Sequence, residues 1–170
     1  MGGIYEVMAE STFSCVQWLT RYKEEIAKIK ESSPFLSVLC ISAGIEFLGK
    51  LLYEDSLDNG NGCGEKFNKA LENFTSLNKY ANKNLYNLIR CGLAHRISVK
   101  EDIKLDPNHE SQLDTTPIII NPNKFFDDFA IAVDEAQTKT DWLNPNALRP
   151  YVTIKDNSET GATATMISYN

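Results

Sequence analysis

The segment 35–53 constrains the fold of this chain more than any other stretch, because it is apolar nearly all round. Ser33 and Pro34 precede it, and a serine cap followed by a proline in the first turn is a typical helix start. A helix with so little polar surface must bury most of its circumference. The sequence therefore predicts a helix that lies in the middle of a helical bundle.

Four further helices are predicted around this central one, from apolar residues that recur every three or four positions. Their approximate ranges are 5–30, 65–80, 83–94 and 122–138. Asn121 and Pro122 form a typical start for the last of them. These patterns predict an all-α fold, an up-and-down helical bundle of four to five helices.

A short stretch between the fourth and fifth helices has the composition of strands. Ile103 and Leu105 alternate with charged residues, and the segment 118–120 consists of three isoleucines. Two such runs around a polar loop predict a small β-hairpin at about 101–121, inserted before the last helix. We accordingly assign residues 1–142 to the bundle and residues 143–170, which are rich in Asn, Ser, Thr and Gly, to an irregular C-terminal tail.

The charge of the chain limits how it can bind nucleic acid. Its 17 Lys and Arg against 23 Asp and Glu give a formal net charge of −6, which argues against coating nucleic acid by charge alone. One stretch reverses this balance, since no acid occurs between Glu72 and Glu101. Its cations form either a local phosphate-binding surface or the solvated face of a helix. They are Lys79, Lys83, Arg90, Arg96 and Lys100.

The sequence contains no recognisable metal, redox or targeting motif. The four cysteines form no Cys-x-x-Cys pair, and His95 and His109 have no cysteine or acid at the spacing of zinc ligands, so we expect no metal and no cofactor. The N-terminus lacks the basic and apolar regions of a signal peptide, and polar residues interrupt the longest apolar stretch. We therefore expect a cytoplasmic protein that does not enter a membrane.

Arg90 and His95 lie at the end of the fourth predicted helix, with four residues between them. The second helix contributes Glu46 from an otherwise apolar run. A carboxylate in that position is costly unless it is paired, and Arg90 is its natural partner. Two interpretations stay open: a structural ion pair between two helices, or a pair that belongs to a functional site.

The segment 88–95 reads Leu-Ile-Arg-Cys-Gly-Leu-Ala-His and resembles the Arg-x(4–6)-His signature of HEPN domains (higher eukaryotes and prokaryotes nucleotide-binding). It is especially similar to a branch that reads Leu-Arg-Cys-Gly-Leu-x-His and continues into a hairpin and a Phe-Phe helix. The resemblance covers about residues 11–138. It implies a helical bundle that often dimerises, and a metal-independent endoribonuclease of toxin–antitoxin, abortive-infection or CRISPR-associated systems.

The resemblance makes Arg90 and His95 the matching catalytic positions, and the chemistry suits both residues. Metal-free RNA cleavage uses the neighbouring 2′-hydroxyl as nucleophile and leaves a 2′,3′-cyclic phosphate. Histidine transfers protons near neutral pH, and the arginine fork donates two parallel hydrogen bonds to a phosphate. Three residues are assigned supporting roles. Glu46 is the partner of Arg90, Asn87 contacts substrate or is an exposed helix residue, and Arg96 binds phosphate or faces water.

Helix geometry constrains how Arg90 and His95 share one site, because residues five apart on a regular α-helix point about 140° from each other. Three solutions remain open. The helix loosens near Gly92, where glycine permits it. Alternatively, His95 lies beyond the helix end. In the third solution, two subunits pair their motifs across a two-fold axis.

The leading hypothesis from the sequence is a HEPN-type ribonuclease, a toxin or phage-defence component that forms a homodimer, acts on RNA and is a partner of an antitoxin protein. The second hypothesis is a catalytically inactive HEPN-like dimeric module that binds a nucleotide, RNA or a protein partner. A plain helical scaffold is the third. Cys91 favours the second and third, since many active members have Asn, Asp or His directly after the arginine.

Overall fold

The computed structural model describes residues 10–52, 62–96, 101–157 and 161–166, and this part of the chain is mostly helical. It contains five α-helices, a π-helical segment that leads into the fourth of them, and short 3-10 turns. The α-helices are α1 (Cys15–Ile29), α2 (Pro34–Leu51), α3 (Cys63–Asn73), α4 (Cys91–Arg96) and α5 (Pro122–Thr138). The π-helical segment is Tyr86–Arg90.

Helix α2 occupies the central position predicted for it, since it packs against α1, α3 and α5. Two glycines allow its close contacts. A Cβ on Gly49 would lie 1.7 Å from the backbone oxygen of Lys66 in α3, and a Cβ on Gly44 would lie 2.5 Å from the ring of Phe129 in α5. Any larger residue at these two positions would push the neighbouring helices away from α2.

By length and apolar composition, α2 also meets the criteria for a helix that crosses a membrane, although we expected no stretch of the chain to do so. In the fold, 56% of this helix is buried. The core helix of a globular protein meets the same criteria, because it too is apolar on most of its faces.

The first predicted helix starts too early. In the structure, strand β1 (Glu10–Ser14) precedes α1, and residues 1–9 lie outside the described part of the chain. The Ser14 hydroxyl accepts a hydrogen bond from the backbone of Gln17, and the Gln17 side chain accepts one from the backbone of Ser14. This reciprocal cap fixes the helix start at Cys15.

The prediction of an irregular tail at 143–170 is wrong for residues 150–157 and 161–166, whereas the sequence did allow a strand at 151–154. Strands β4 (Pro150–Asn157) and β5 (Gly161–Met166) pair with each other and with β1 in an antiparallel sheet of order β1-β4-β5. The edge of β1 supplies the hydrogen-bond partners that the backbone of β4 would lack on its own. The β-branched residues at 152–154 also favour a strand. The sheet therefore joins the two ends of the described chain.

The predicted β-hairpin is also wrong, although both strands exist. Strand β2 (Ile103–Leu105) pairs with β3 (Ile118–Ile120) in parallel, with Ile103 opposite Ile118. Parallel strands need a connection of about a dozen residues, and the loop between them is that long. It returns along β3, where Gln112 pairs with Ile119 in the antiparallel sense.

The third predicted helix ends early, at Asn73, because Phe74 adopts an extended conformation. The chain then passes through a 3-10 turn that buries Tyr80, whose hydroxyl donates a 2.7 Å hydrogen bond to Asp128 of α5. The start of α5 agrees with its prediction, since the Asn121 side chain accepts hydrogen bonds from the backbone at 123 and 124.

Candidate functional site

The segment that carries the Arg-x4-His motif is not a uniform α-helix. Asn82 and Asn84 have left-handed backbone angles, with φ of 60° and 52°, and asparagine tolerates this conformation better than most residues. A π-helical turn follows at Tyr86–Arg90, closed by a hydrogen bond from the backbone of Cys91 to the carbonyl of Tyr86. Such turns are rare and often lie at functional sites.

Glu46 and Arg90 meet between α2 and the π-helical turn, as the sequence predicted. The Arg90 Nε lies 3.3 Å from the Glu46 Oε2, and the Glu46 side chain is only 10% exposed. Both of these atoms are buried and neither makes a hydrogen bond. The contact is therefore an ion pair in which the Arg90 Nε–H does not point at the carboxylate. Neither this N–H nor the Glu46 Oε2 has a hydrogen-bond partner.

The Arg90 side chain as a whole is 28% exposed. Because its Nε is buried, that exposed surface belongs to other atoms of the side chain. Arg90 is thus anchored on its inner side by a charge and reaches the surface elsewhere.

Three residues around Glu46 were not predicted from the sequence. The Lys50 Nζ lies 3.8 Å from the Glu46 Oε1. Burial raises the pKa of the Cys63 thiol, and so does its hydrogen bond with Glu46. Burial also raises the pKa of Tyr86, followed by its interactions with Cys91 and Cys63. Glu46 is therefore the centre of a mixed cluster of two cations, a thiol and a phenol.

Only one of these three residues left a signal in the sequence. Lys50 stands four positions after Glu46, the spacing at which helical side chains face each other. Cys63 and Tyr86 reach the cluster only because α3 packs on the π-helical turn, where a Cβ on Gly64 would lie 3.2 Å from the Tyr86 ring. No local pattern indicates that contact.

His95 lies within α4, which runs through Gly92 to Arg96 as a regular helix. The helix therefore neither loosens at Gly92 nor ends before His95, and the widened turn lies on the N-terminal side of Arg90 instead. Positions 90 and 95 remain about 140° apart around the helix axis. The first two of the three geometric solutions are therefore wrong.

Of the three supporting residues, the structure places Glu46 against Arg90 but not Asn87. Asn87 is exposed, and its side chain donates a 2.7 Å hydrogen bond to Asn84 rather than facing Arg90. Arg96 is the last residue of α4, and its side chain, like that of His95, lies outside the described part of the structure.

The fold neutralises much of the basic stretch seen in the sequence. Lys79 pairs with Asp128 of α5, and Lys83 pairs with Asp114 of the loop after β2. Arg90 pairs with Glu46. Acids distant in sequence thus pair with the three cations of this stretch whose side chains the structure describes.

No group of three or more His, Cys, Asp or Glu within the described ranges is placed to hold a metal ion. No protein-family model matches the chain, and no curated protein and no solved structure matches it significantly.

Proposed function

We propose that this protein is a metal-independent endoribonuclease of the HEPN type with a bundle of helices around α2. Arg90 binds the scissile phosphate and stabilises its developing charge, as a planar guanidinium does well. His95 transfers the proton of the attacking 2′-hydroxyl. The products are a 2′,3′-cyclic phosphate and a free 5′-hydroxyl.

The observation that supports this proposal best is the state of Arg90. A guanidinium that served only to neutralise Glu46 would gain most from a bidentate, hydrogen-bonded pair. Arg90 instead makes a 3.3 Å contact without a hydrogen bond and keeps 28% of its side chain exposed. Glu46 holds the arginine in place and leaves it free to bind an anion.

The proposed active form is a homodimer, because one copy cannot easily direct positions 90 and 95 at the same phosphate. An apolar surface suits this assembly. Phe35 and Leu36 are about half exposed, with Leu39 and Leu93 beside them around a groove of about 460 Å³. Leu93 lies between the two motif residues, so a second copy seated on this groove would bring the two motifs close together.

The test of activity is cleavage of a structured RNA in the presence of a metal chelator. Wild type should cleave, and Arg90→Ala and His95→Ala should each lower the rate by at least about 100-fold, the usual range for one general acid–base residue. Lys139→Ala, which removes a cation from the far end of α5, serves as the matched control and should cleave normally. Equal rates in all four proteins would refute the enzyme proposal.

The test of assembly uses two exposed apolar residues. Phe35→Asp should convert the dimer to a monomer and abolish cleavage, because it buries a charge in the proposed interface. Ile131→Asp changes a residue of similar exposure on α5 and should leave both the dimer and the activity intact. Light scattering that finds a monomeric wild type would remove the dimer from the proposal.

A catalytically inactive HEPN-like dimeric module is the second candidate. Cys91 favours it, because it stands where many active members have a polar residue, and so do the acids that pair with Lys79, Lys83 and Arg90. In that case the wild type binds RNA or a nucleotide without cleaving, and Arg90→Ala still weakens binding. The remaining expectations, a cytoplasmic toxin or phage-defence component held by an antitoxin protein, rest on the resemblance and belong to the same proposal.

A further inference from the structure

His109 lies far from the motif in sequence and makes a well-defined contact of its own. Its Nδ1 lies 3.0 Å from the Oδ2 of Asp106. The same oxygen accepts a 2.7 Å hydrogen bond from Lys104, and the other carboxylate oxygen accepts one from the backbone of Asn108. These contacts lower the pKa of Asp106, with Lys104 as the largest cause and His109 the next.

This contact fixes the tautomer of His109. An ionised carboxylate only accepts hydrogen bonds, so the nitrogen that faces Asp106 must carry a proton. In the neutral ring, the lone pair is then on Nε2, at the opposite edge of the imidazole. The His109 side chain is 65% exposed, so this lone pair is accessible to a reagent in solution.

The loop around His109 is held in place by α5. The Asn121 side chain donates hydrogen bonds to the carbonyl oxygens of His109 and Pro107, at 2.9 and 3.2 Å. The backbone of Asp106 bonds to Ile120 at 2.9 Å. A fixed backbone, a fixed tautomer and an exposed lone pair are what an activated imidazole nucleophile requires.

Lys104 adds a cation beside the ring. Since Lys104 Nζ and His109 Nδ1 both contact the Oδ2 of Asp106, the two nitrogens are less than about 6 Å apart. A phosphoryl group on Nε2 would place negative charge at the far edge of the ring, and the ammonium of Lys104 attracts it across the imidazole, at a longer range than its distance to Nδ1. Asp106 in turn stabilises the positive charge that a phosphorylated imidazole ring carries.

We propose that His109 is a phosphoryl-acceptor residue, oriented by Asp106 and assisted by Lys104, for small donors such as acyl phosphates and phosphoramidates. The Nε2 lone pair attacks the phosphorus, an N–P bond forms, and the bond to the leaving group breaks. The leaving group departs with that electron pair, as a carboxylate or as ammonia after protonation by solvent. The Nδ1 proton stays on the ring and keeps its bond to Asp106.

The test is incubation of the folded protein with phosphoramidate, followed by peptide mass spectrometry under alkaline conditions that preserve phosphohistidine. His109 should gain one phosphoryl group at least about tenfold faster than the same residue in the urea-unfolded chain. Asp106→Asn should slow the phosphorylation of His109 about tenfold, which is the effect expected from the loss of one charge-assisted hydrogen bond. Lys104→Ala should slow the reaction less, and His109→Gln should remove the modification.

Circular dichroism of each variant establishes that the fold is retained, and Lys124→Ala, a nearby exposed cation outside the cluster, is the matched control. Equal rates in the folded and unfolded chains would overturn the proposal, because they would mean that the structure does not activate the ring. An unchanged rate in both Asp106→Asn and Lys104→Ala would overturn it as well.

Discussion

Two buried carboxylates in this molecule have opposite surroundings. Asp128 of α5 accepts 2.7 Å contacts from the Tyr80 hydroxyl and from Lys79. Glu46 of α2 has its nearest cations at 3.3 and 3.8 Å, and its Oε2 makes no hydrogen bond. Asp128 therefore has a short hydrogen bond and a close cation on one oxygen, whereas the Glu46 Oε2 is buried without a hydrogen bond.

We interpret the first contact as one that stabilises the fold, and under our proposal the second contact positions Arg90. A satisfied buried network gains from its low dielectric surroundings, and a partly satisfied one is costly in the same surroundings. A buried pair with unused hydrogen-bonding capacity contributes little to stability. The Asp128 network thus serves the packing of α5, and the Glu46–Arg90 pair is where we place function.

The largest effect on stability is expected at Asp128. Asp128→Ala would leave the buried Tyr80 hydroxyl without its carboxylate partner and should lower the free energy of unfolding by about 3 kcal/mol. Urea unfolding followed by circular dichroism measures this. A loss below about 1 kcal/mol would mean that the network adds little, and the contrast with Glu46 would disappear.

A smaller loss is expected at Tyr80. Tyr80→Phe keeps the ring in the core and the Lys79–Asp128 pair, and it removes one hydrogen bond to a charged acceptor. The free energy of unfolding should fall by about 1.5 to 2 kcal/mol. A matched variant is Tyr86→Phe, whose hydroxyl lies in the Glu46 cluster and should contribute less. A larger loss of stability in Tyr86→Phe than in Tyr80→Phe would instead place the stabilising network around Glu46.

Alkaline pH offers a graded test of the same network. Burial and the hydrogen bond to Asp128 raise the pKa of Tyr80 above the ordinary value of 10.0. The stabilisation that follows is fully present below about pH 10 and is lost as the pH rises through the folded-state pKa. The free energy of unfolding of wild type should fall above pH 10, and that of Tyr80→Phe should fall less steeply, by up to about 1.4 kcal/mol per pH unit. Parallel slopes would contradict this assignment.

The elements predicted well are those whose signals are local. Ser33, Pro34 and the apolar run after them predicted α2, and Asn121 with Pro122 predicted α5. The Glu46–Arg90 contact was predicted from the cost of a lone acid in an apolar run. Each of these inferences needs only residues near in sequence, or a buried charge that must find a partner.

The elements predicted wrongly depend on partners distant in sequence. Strand β4 forms because its backbone can hydrogen-bond to the edge of β1. Strand β3 pairs in parallel with β2 because the loop between the two strands runs back along β3. The sequence does not predict the π-helical turn, because one additional residue in a helical turn requires no particular residue type. One local signal was missed: Ser14 and Gln17 have the spacing of a capping box, which places the start of α1 correctly.

The measurement that tests the central contrast most directly combines unfolding and RNA cleavage for two isosteric variants, Glu46→Gln and Asp128→Asn. We predict that Glu46→Gln lowers the free energy of unfolding by less than Asp128→Asn does, because the partly exposed Arg90 side chain can be solvated when it loses its carboxylate. We also predict that Glu46→Gln slows cleavage at least about tenfold, because Arg90 loses the charge that holds it. Asp128→Asn should lose more stability and cleave normally per folded molecule. Loss of stability with unchanged cleavage in Glu46→Gln would contradict the account and make the Glu46–Arg90 pair a structural contact.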